Sequence, residues 1–167
     1  MDRTHRRAGA LLGTVGIALV VAGPVMLARG RSGRREIRAE LAAQKITFPA
    51  RGLPLELKPY AGRAVETGTE AHAYSRFIQG NLDRATGGRA YAEITAELHA
   101  AGGEDEQLCE LRQTAFMGQS LRASLMSAYQ AWQITTLVTG LGTALTGLGI
   151  ALVATADALA PRSPNRP

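Results

Sequence analysis

A chain of 167 residues with two long uncharged stretches near its ends leaves room for only one small domain in water. Its formal net charge of +5, from 19 Lys and Arg against 14 Asp and Glu, is thinly spread. The densest cluster, Arg29, Arg31, Arg34 and Arg35, abuts an apolar stretch without interleaved aromatics, which argues against nucleic acid as a partner, and a lone Cys109 excludes an intrachain disulfide.

Residues 1–7, with Arg3, Arg6 and Arg7, form a basic N-terminal tail. From Ala8 to Ala28 there are 21 residues without a charge, enough to cross ~30 Å of hydrocarbon as a helix. This run exceeds the ~7–15 apolar residues of a secretory leader, and Met26 is a poor residue where a cleavage site wants a small one, so residues 8–28 are expected to be an uncleaved first span. Residues 29–130 carry most of the charge and are expected to form a small, mostly helical soluble domain. Within it, Ser32 to Ile46 has helical spacing, with Ile37 and Leu41 on one side. Pro49, Gly52, Pro54 and Pro59 then interrupt regular structure, and LPLEL at 53–57 alternates like a short extended segment. Thr67 followed by Glu70 is a capping-box pattern, and Ala71, Tyr74, Ile78, Leu82 and Ala85 continue a helix that Gly87 and Gly88 should stop. Tyr91, Ile94 and Leu98 mark a shorter helix ending at Gly102 and Gly103.

Glu104, Asp105 and Glu106 suit the start of a helix, whose dipole favours acids there. No proline follows until Pro161, so one long stem helix is expected to run into a second span at 131–156. Tyr129 and Trp132 stand just before its most apolar part, where amphipathic rings settle at a membrane interface. A short C-terminal tail, 157–167, completes a mainly α fold with two transmembrane helices flanking a small helical domain. Two spans place both tails on one side. Long loops cross largely regardless of charge, and Arg34, Arg35 and Arg38 are interleaved with Glu36 and Glu40, so the tails are expected in the cytoplasm and the middle domain outside.

Gly9, Gly13, Gly16 and Gly23 share one face of the first span. Gly140, Ala144, Gly147 and Ala151 share one face of the second. Small residues let helix backbones approach closely in lipid, so these two faces are expected to pack as an antiparallel hairpin. Leu at Gly13 or Gly147 should then part the helices, whereas Val20→Leu should matter little. Gly142 and Gly149 lie on another face, left for a second copy or a different protein. Neither span holds an ionisable residue, so an ion path would need several copies lined by Thr135, Thr139, Thr143 or Thr146.

The phrases LAAQKITFP at 41–49, TGTEAHAYS at 67–75, ATGGRAYAEI at 85–94 and SLRASLMSAYQ at 120–130, in this order between two spans, resemble a family of small actinobacterial membrane proteins. Its members often carry an automated name, aromatic ring-opening dioxygenase or its small subunit. The resemblance implies a cell-envelope location with the middle domain outside, and no particular activity.

The automated name makes a chemical demand that the residues do not meet. Non-haem iron dioxygenases commonly hold Fe(II) with two His and a carboxylate. His5 lies in the N-terminal tail, and Glu70 and Glu97 do not share a helical face with their neighbours His72 and His99, so these two read as surface histidines. The consecutive acids at 104–106 lack the alternating ligands of a calcium loop, and Gly87 and Gly88 lack the Lys-Ser/Thr that follows in a phosphate-binding loop. No catalytic set, metal site or cofactor is therefore expected. The leading expectation is a non-enzymatic envelope protein acting through the lipid bilayer and a protein partner or self-association. A dioxygenase subunit and an oligomeric channel are the alternatives.

Overall fold

The structure, a computed structural model, describes the backbone of residues 2–159 and the side chains of residues 7–159. The side chains of Arg3, His5 and Arg6, and Pro161, Arg162 and Pro164 of the expected C-terminal tail, lie outside the described residues. The chain is mainly helical, with helices α1 (Asp2–Ala43), α2 (Gly68–Thr86), α3 (Tyr91–Ala100) and α4 (Glu106–Ala158). It divides into two compact units, one comprising the chain up to Arg34 and from Ile134 onward, the other Arg35–Gln133.

Helix α1 already includes the backbone of the expected N-terminal tail, and it joins the expected first span to the helix expected from Ser32 as one element. Pro24 withholds one intrahelical hydrogen bond without ending it. Nor does Gly30 break it, because that glycine is held against Thr139 of α4. Helix α1 closes after Ala43 with the Gln44 and Lys45 amides donating to Leu41 and Ala42 carbonyls, both at 3.1 Å, and Lys45 takes a left-handed φ of 53°.

The proline-rich connection departs from the expected extended segment. Leu55–Tyr60 forms a 3-10 helix, entered through Pro54, whose φ of −52° is already close to helical. The alternation in LPLEL would place three leucines on one side of a strand. Instead Leu53 and Leu57 are buried and Leu55 is 79% exposed, the outcome of coiling the backbone between them. Extended pairing occurs on either side of this turn, where Phe48 donates to Arg63 and Val65 to Ile46, each at 2.9 Å, around the single bridge Thr47–Ala64.

Helix α2 starts on a complete capping box: Thr67 accepts from the Glu70 amide and the Glu70 carboxylate accepts from the Thr67 amide. It ends on Gly87 in the left-handed region, φ 64°, with the Gly88 amide reaching back to the Asp83 carbonyl at 2.9 Å, a geometry that favours glycine. Helix α3 buries Ile94 and Leu98, one turn apart, and Glu93 caps its start through the Ala90 amide at 2.6 Å. Helix α4 is continuous over 53 residues.

In the second unit α2 and α4 run antiparallel. Gly68 lies against Trp132, His72 stacks on Tyr129, Ser75 donates to the Met126 sulfur at 3.3 Å, and Leu82 meets Gly118. On α4 the stripe involved is Ala115, Gly118, Arg122, Leu125, Tyr129 and Trp132, alternating three and four residues apart as a helix seam requires. The core beside it gathers Leu41, Phe48, Leu57, Val65, Leu82 and Leu125, with Phe48 stacked on Tyr60 and edge-on to Tyr74.

Candidate functional site: a glycine seam between two apolar helices

In the first unit the early part of α1 and the late part of α4 run antiparallel, with Gly16 opposite Gly149, Gly23 opposite Gly142, and Gly30 opposite Thr135 and Thr139. A β-carbon placed on Gly16 would lie 2.9 Å from the Gly149 carbonyl oxygen, and one on Gly149 would lie 2.7 Å from the Gly16 carbonyl oxygen. The same reciprocity holds at Gly23 and Gly142, at 2.7 and 2.8 Å. No side chain fits at these four positions. At each, the hydrogen that replaces a side chain is aimed at a carbonyl across the seam, the arrangement of weak Cα–H···O hydrogen bonds.

Gly9, Gly16, Gly23 and Gly30 recur every seven residues, as do Gly142 and Gly149. A seven-residue period keeps one face toward a partner when the two helices wrap left-handedly around each other. Gly9 and Gly13 sit at the looser end: a β-carbon there would be 3.7 Å from the Ala156 carbonyl and 3.5 Å from the Ala156 β-carbon, ordinary contacts. Thr139 and Thr146 lie in the seam against Gly30 and Gly23, their hydroxyls donating back to the Thr135 and Gly142 carbonyls at 2.7 and 2.8 Å. Arg34 joins this unit by donating to the Thr136 hydroxyl at 2.8 Å.

The face of α4 expected to meet α1 points elsewhere. Gly140 and Gly147 have nothing within 4 Å of a β-carbon, and Ala144 and Ala151 are exposed. The two small-residue faces of α4 have exchanged roles: Gly142 and Gly149 make the hairpin, and Gly140, Ala144, Gly147 and Ala151 are open. Val20 is also placed differently from the expectation, since its amide and a methyl lie 2.7 and 2.9 Å from where a Gly149 β-carbon would stand. The composition of the two α4 faces does not separate them; the register across the seam does. A seven-residue glycine spacing that continues to Gly30 is the signal that sequence reading passed over.

Outside the seam, both helices present apolar surface. Leu11, Ile17, Val21, Leu137 and Ile150 are all exposed by more than half. The most apolar 18-residue windows of the two helices have mean hydropathies of 2.2 and 1.9 and are each 11% buried, and both helices are long and apolar enough to cross a membrane.

The rings expected at a membrane interface make contacts within the second unit. Trp132 covers Gly68, where a β-carbon would clash with the indole, and Tyr129 stacks on His72 at 4.5 Å with the rings 16° from parallel. His72 is thus half-buried against an aromatic ring and not a plain surface histidine, while His99 is exposed. Among the described residues no three His, Cys, Asp or Glu side chains gather closely enough to hold a metal ion. Glu70 is the notable buried acid. Its carboxylate accepts from the Glu66 and Thr67 amides and the Thr67 hydroxyl, each at 3.0 Å, and from Arg63 at 2.6 Å. Burial pushes its pKa up, but those hydrogen bonds and the Arg63 charge outweigh it and hold the carboxyl below its ordinary value. This cluster caps a helix.

Comparison with protein-family models, with curated proteins and with solved structures found no match.

Proposed function

We propose that this chain is a multi-pass protein of the cell membrane, its tails cytoplasmic and its helical domain outside, that works by binding other proteins and not by catalysis. The observation that carries the reading is the pairing of a glycine seam with apolar outer surfaces. Close approach of backbones through glycine is how helices associate where lipid removes the hydrophobic drive, and the apolar side chains outside the seam suit hydrocarbon. A cleaved leader is disfavoured on the same ground, because losing α1 would leave Gly142 and Gly149 facing nothing.

The open face of Gly140, Ala144, Gly147 and Ala151 is the natural place for a second copy or another transmembrane helix. A photoreactive residue at Gly140 or Gly147 in native membranes should give discrete adducts, and one at the exposed Leu137 should give fewer. Absence of adducts from both glycine positions would overturn the interaction reading. The actinobacterial family resemblance supports an envelope setting, and its automated name supplies the rival. Stoichiometric iron in the purified protein would favour a dioxygenase subunit instead. An oligomeric channel has less support, because Thr139 and Thr146, two of the four threonines available to line it, are spent in the seam.

A further inference from the structure

One polar side chain of the second unit is buried and left unused. Thr86, the last residue of α2, is 3% exposed. Helical hydroxyls in this chain close back onto a carbonyl one turn earlier, as Thr95 does on Tyr91 at 2.7 Å and Ser127 on Ala123 at 3.1 Å. The Thr86 hydroxyl makes no such bond, either to Leu82 or to any other described residue. A buried hydroxyl without a partner costs stability, and one that persists in a native fold calls for a partner the protein does not itself supply.

The space for that partner is present. Among the described residues no unpaired side-chain oxygen is fully sealed, so the little accessible surface left on Thr86 includes its hydroxyl. Thr86 lines a cavity of about 190 Å³ at the end of α2, whose inner walls are the buried Leu82 and Ala115. A water molecule takes up about 30 Å³, so a single one does not fill this space. The cavity is also smaller than the ~300 Å³ at which drug-sized sites begin, which limits an occupant to roughly one ring.

Charge selects what can enter. Asp83 lines the cavity together with Arg89 and Arg122, so an anion meets a carboxylate and a cation meets two guanidiniums. Arg89 is committed elsewhere, its Nε donating to the Thr86 carbonyl at 2.8 Å and its Nη1 to Glu97 at 2.6 Å. What remains for an occupant suits a neutral molecule: the Thr86 hydroxyl, which both donates and accepts, the Gln119 amide, and the Asp83 carboxylate, which accepts from Gln79 Nε2 at 2.6 Å through one of its two oxygens. Neighbouring hydroxyls of a polyol can donate to the carboxylate and exchange hydrogen bonds with the threonine and the amide, while its C–H surface lies on Leu82 and Ala115.

We infer that this cavity binds a small neutral polyol of about one sugar ring, held by Thr86, Asp83 and Gln119. The assignment goes beyond the protein-binding role and does not depend on what the transmembrane faces contact.

Saturation-transfer NMR on the full chain, in a detergent without a sugar head group, tests it with myo-inositol, glucose and glycerol as probes and acetate and ethylammonium as charged controls. Saturable binding of at least one polyol in the millimolar range is expected, with neither control binding. Thr86→Val keeps the shape and removes the hydroxyl. It should weaken polyol binding about fivefold or more, the loss of one hydrogen bond, while the melting temperature holds or rises because no protein group loses a partner. Thr86→Ser keeps the hydroxyl and should retain the affinity within about twofold. Failure of all three polyols to saturate would mean that the cavity holds water only, and would overturn the site. Unchanged affinity in Thr86→Val, or a charged control binding as well as the polyols, would do the same. A lower melting temperature in Thr86→Val would show the hydroxyl already engaged within the protein and would equally end the proposal.

Discussion

Glu70 is a buried carboxylate whose hydrogen bonds hold the start of α2. It is 6% exposed and it satisfies two backbone amides, a hydroxyl and a guanidinium at the point where the chain turns into α2. Replacing it with Ala leaves those amides unpaired, and unfolding of the full chain should become easier by roughly 1–3 kcal/mol. The pH dependence follows from the lowered pKa. A carboxyl that ionises more readily when folded contributes stability that is complete above its ordinary value of 4.5 and disappears as pH falls through the lower, folded value. The melting temperature of the native chain should therefore fall with acid below that point more steeply than that of Glu70→Gln, and parallel curves would assign the acid sensitivity to other carboxylates. The capping box was legible from Thr67 and Glu70 alone, because it is a local pattern. Arg63 joining it was not, since that contact depends on the turn that brings residues 63–65 beside 46–48. Lys45 marks a second local cost. Its φ of 53° strains any residue with a β-carbon, so Lys45→Gly should stabilise the chain by roughly 0.5–1 kcal/mol, measured by chemical unfolding, and a loss of stability would mean its side chain makes up for the strain.

At the scale of elements, helices α2 and α3 were readable because Thr67 with Glu70 marks the start of the first and glycines mark the stop of both, and α4 because acids open it and no proline interrupts it. Two features were not. The segment LPLEL alternates as a strand does, yet Pro54 presets a helical φ and the burial of Leu53 and Leu57 around an exposed Leu55 settles the conformation as a 3-10 turn. The second was which small-residue face of α4 closes the hairpin. Gly140 and Gly147 repeat at the same interval as Gly142 and Gly149, so spacing offers two equal solutions, and only the antiparallel register that sets Gly16 on Gly149 and Gly23 on Gly142 chooses. The choice can be tested by substitution. Leu at Gly149 or Gly23 must displace a carbonyl of the opposing helix, and should weaken the hairpin by on the order of 1 to 3 kcal/mol, since sliding of the helices relieves part of the overpacking. Leu at Gly147 should leave the hairpin intact. Disulfide trapping between Cys placed at Gly13 and Ala156, whose β-carbons would lie 3.5 Å apart, in a Cys109→Ser background reads the outcome. Equal trapping in Gly149→Leu and Gly147→Leu would show that neither face is the seam.

For the whole molecule the open question of greatest consequence is sidedness. An apolar window of mean hydropathy 2.2 in α1 and one of 1.9 in α4 predict two crossings, which fixes the residues before the first and after the second on the same side. Charge alone does not decide which side that is. The cations following the first window, Arg29, Arg31, Arg34 and Arg35, would hold the domain inside on a plain count, although Arg35 and Arg38 are interleaved with Glu36 and Glu40. A segment of about a hundred residues is also long enough to cross with little regard to its flanking charges. The proposed external domain rests on this length. Cys109 lies in that domain and is half-buried, so a small impermeant thiol reagent can report on it once an accessibility control is included. In intact cells Cys109 should be labelled as fully as in permeabilised cells. In a Cys109→Ser, Asp157→Cys variant, labelling should require permeabilisation. The reverse pattern would place the domain in the cytoplasm. Labelling of both positions in intact cells would mean that α1 and α4 do not both cross, and the glycine seam would then have to be explained as packing outside a bilayer.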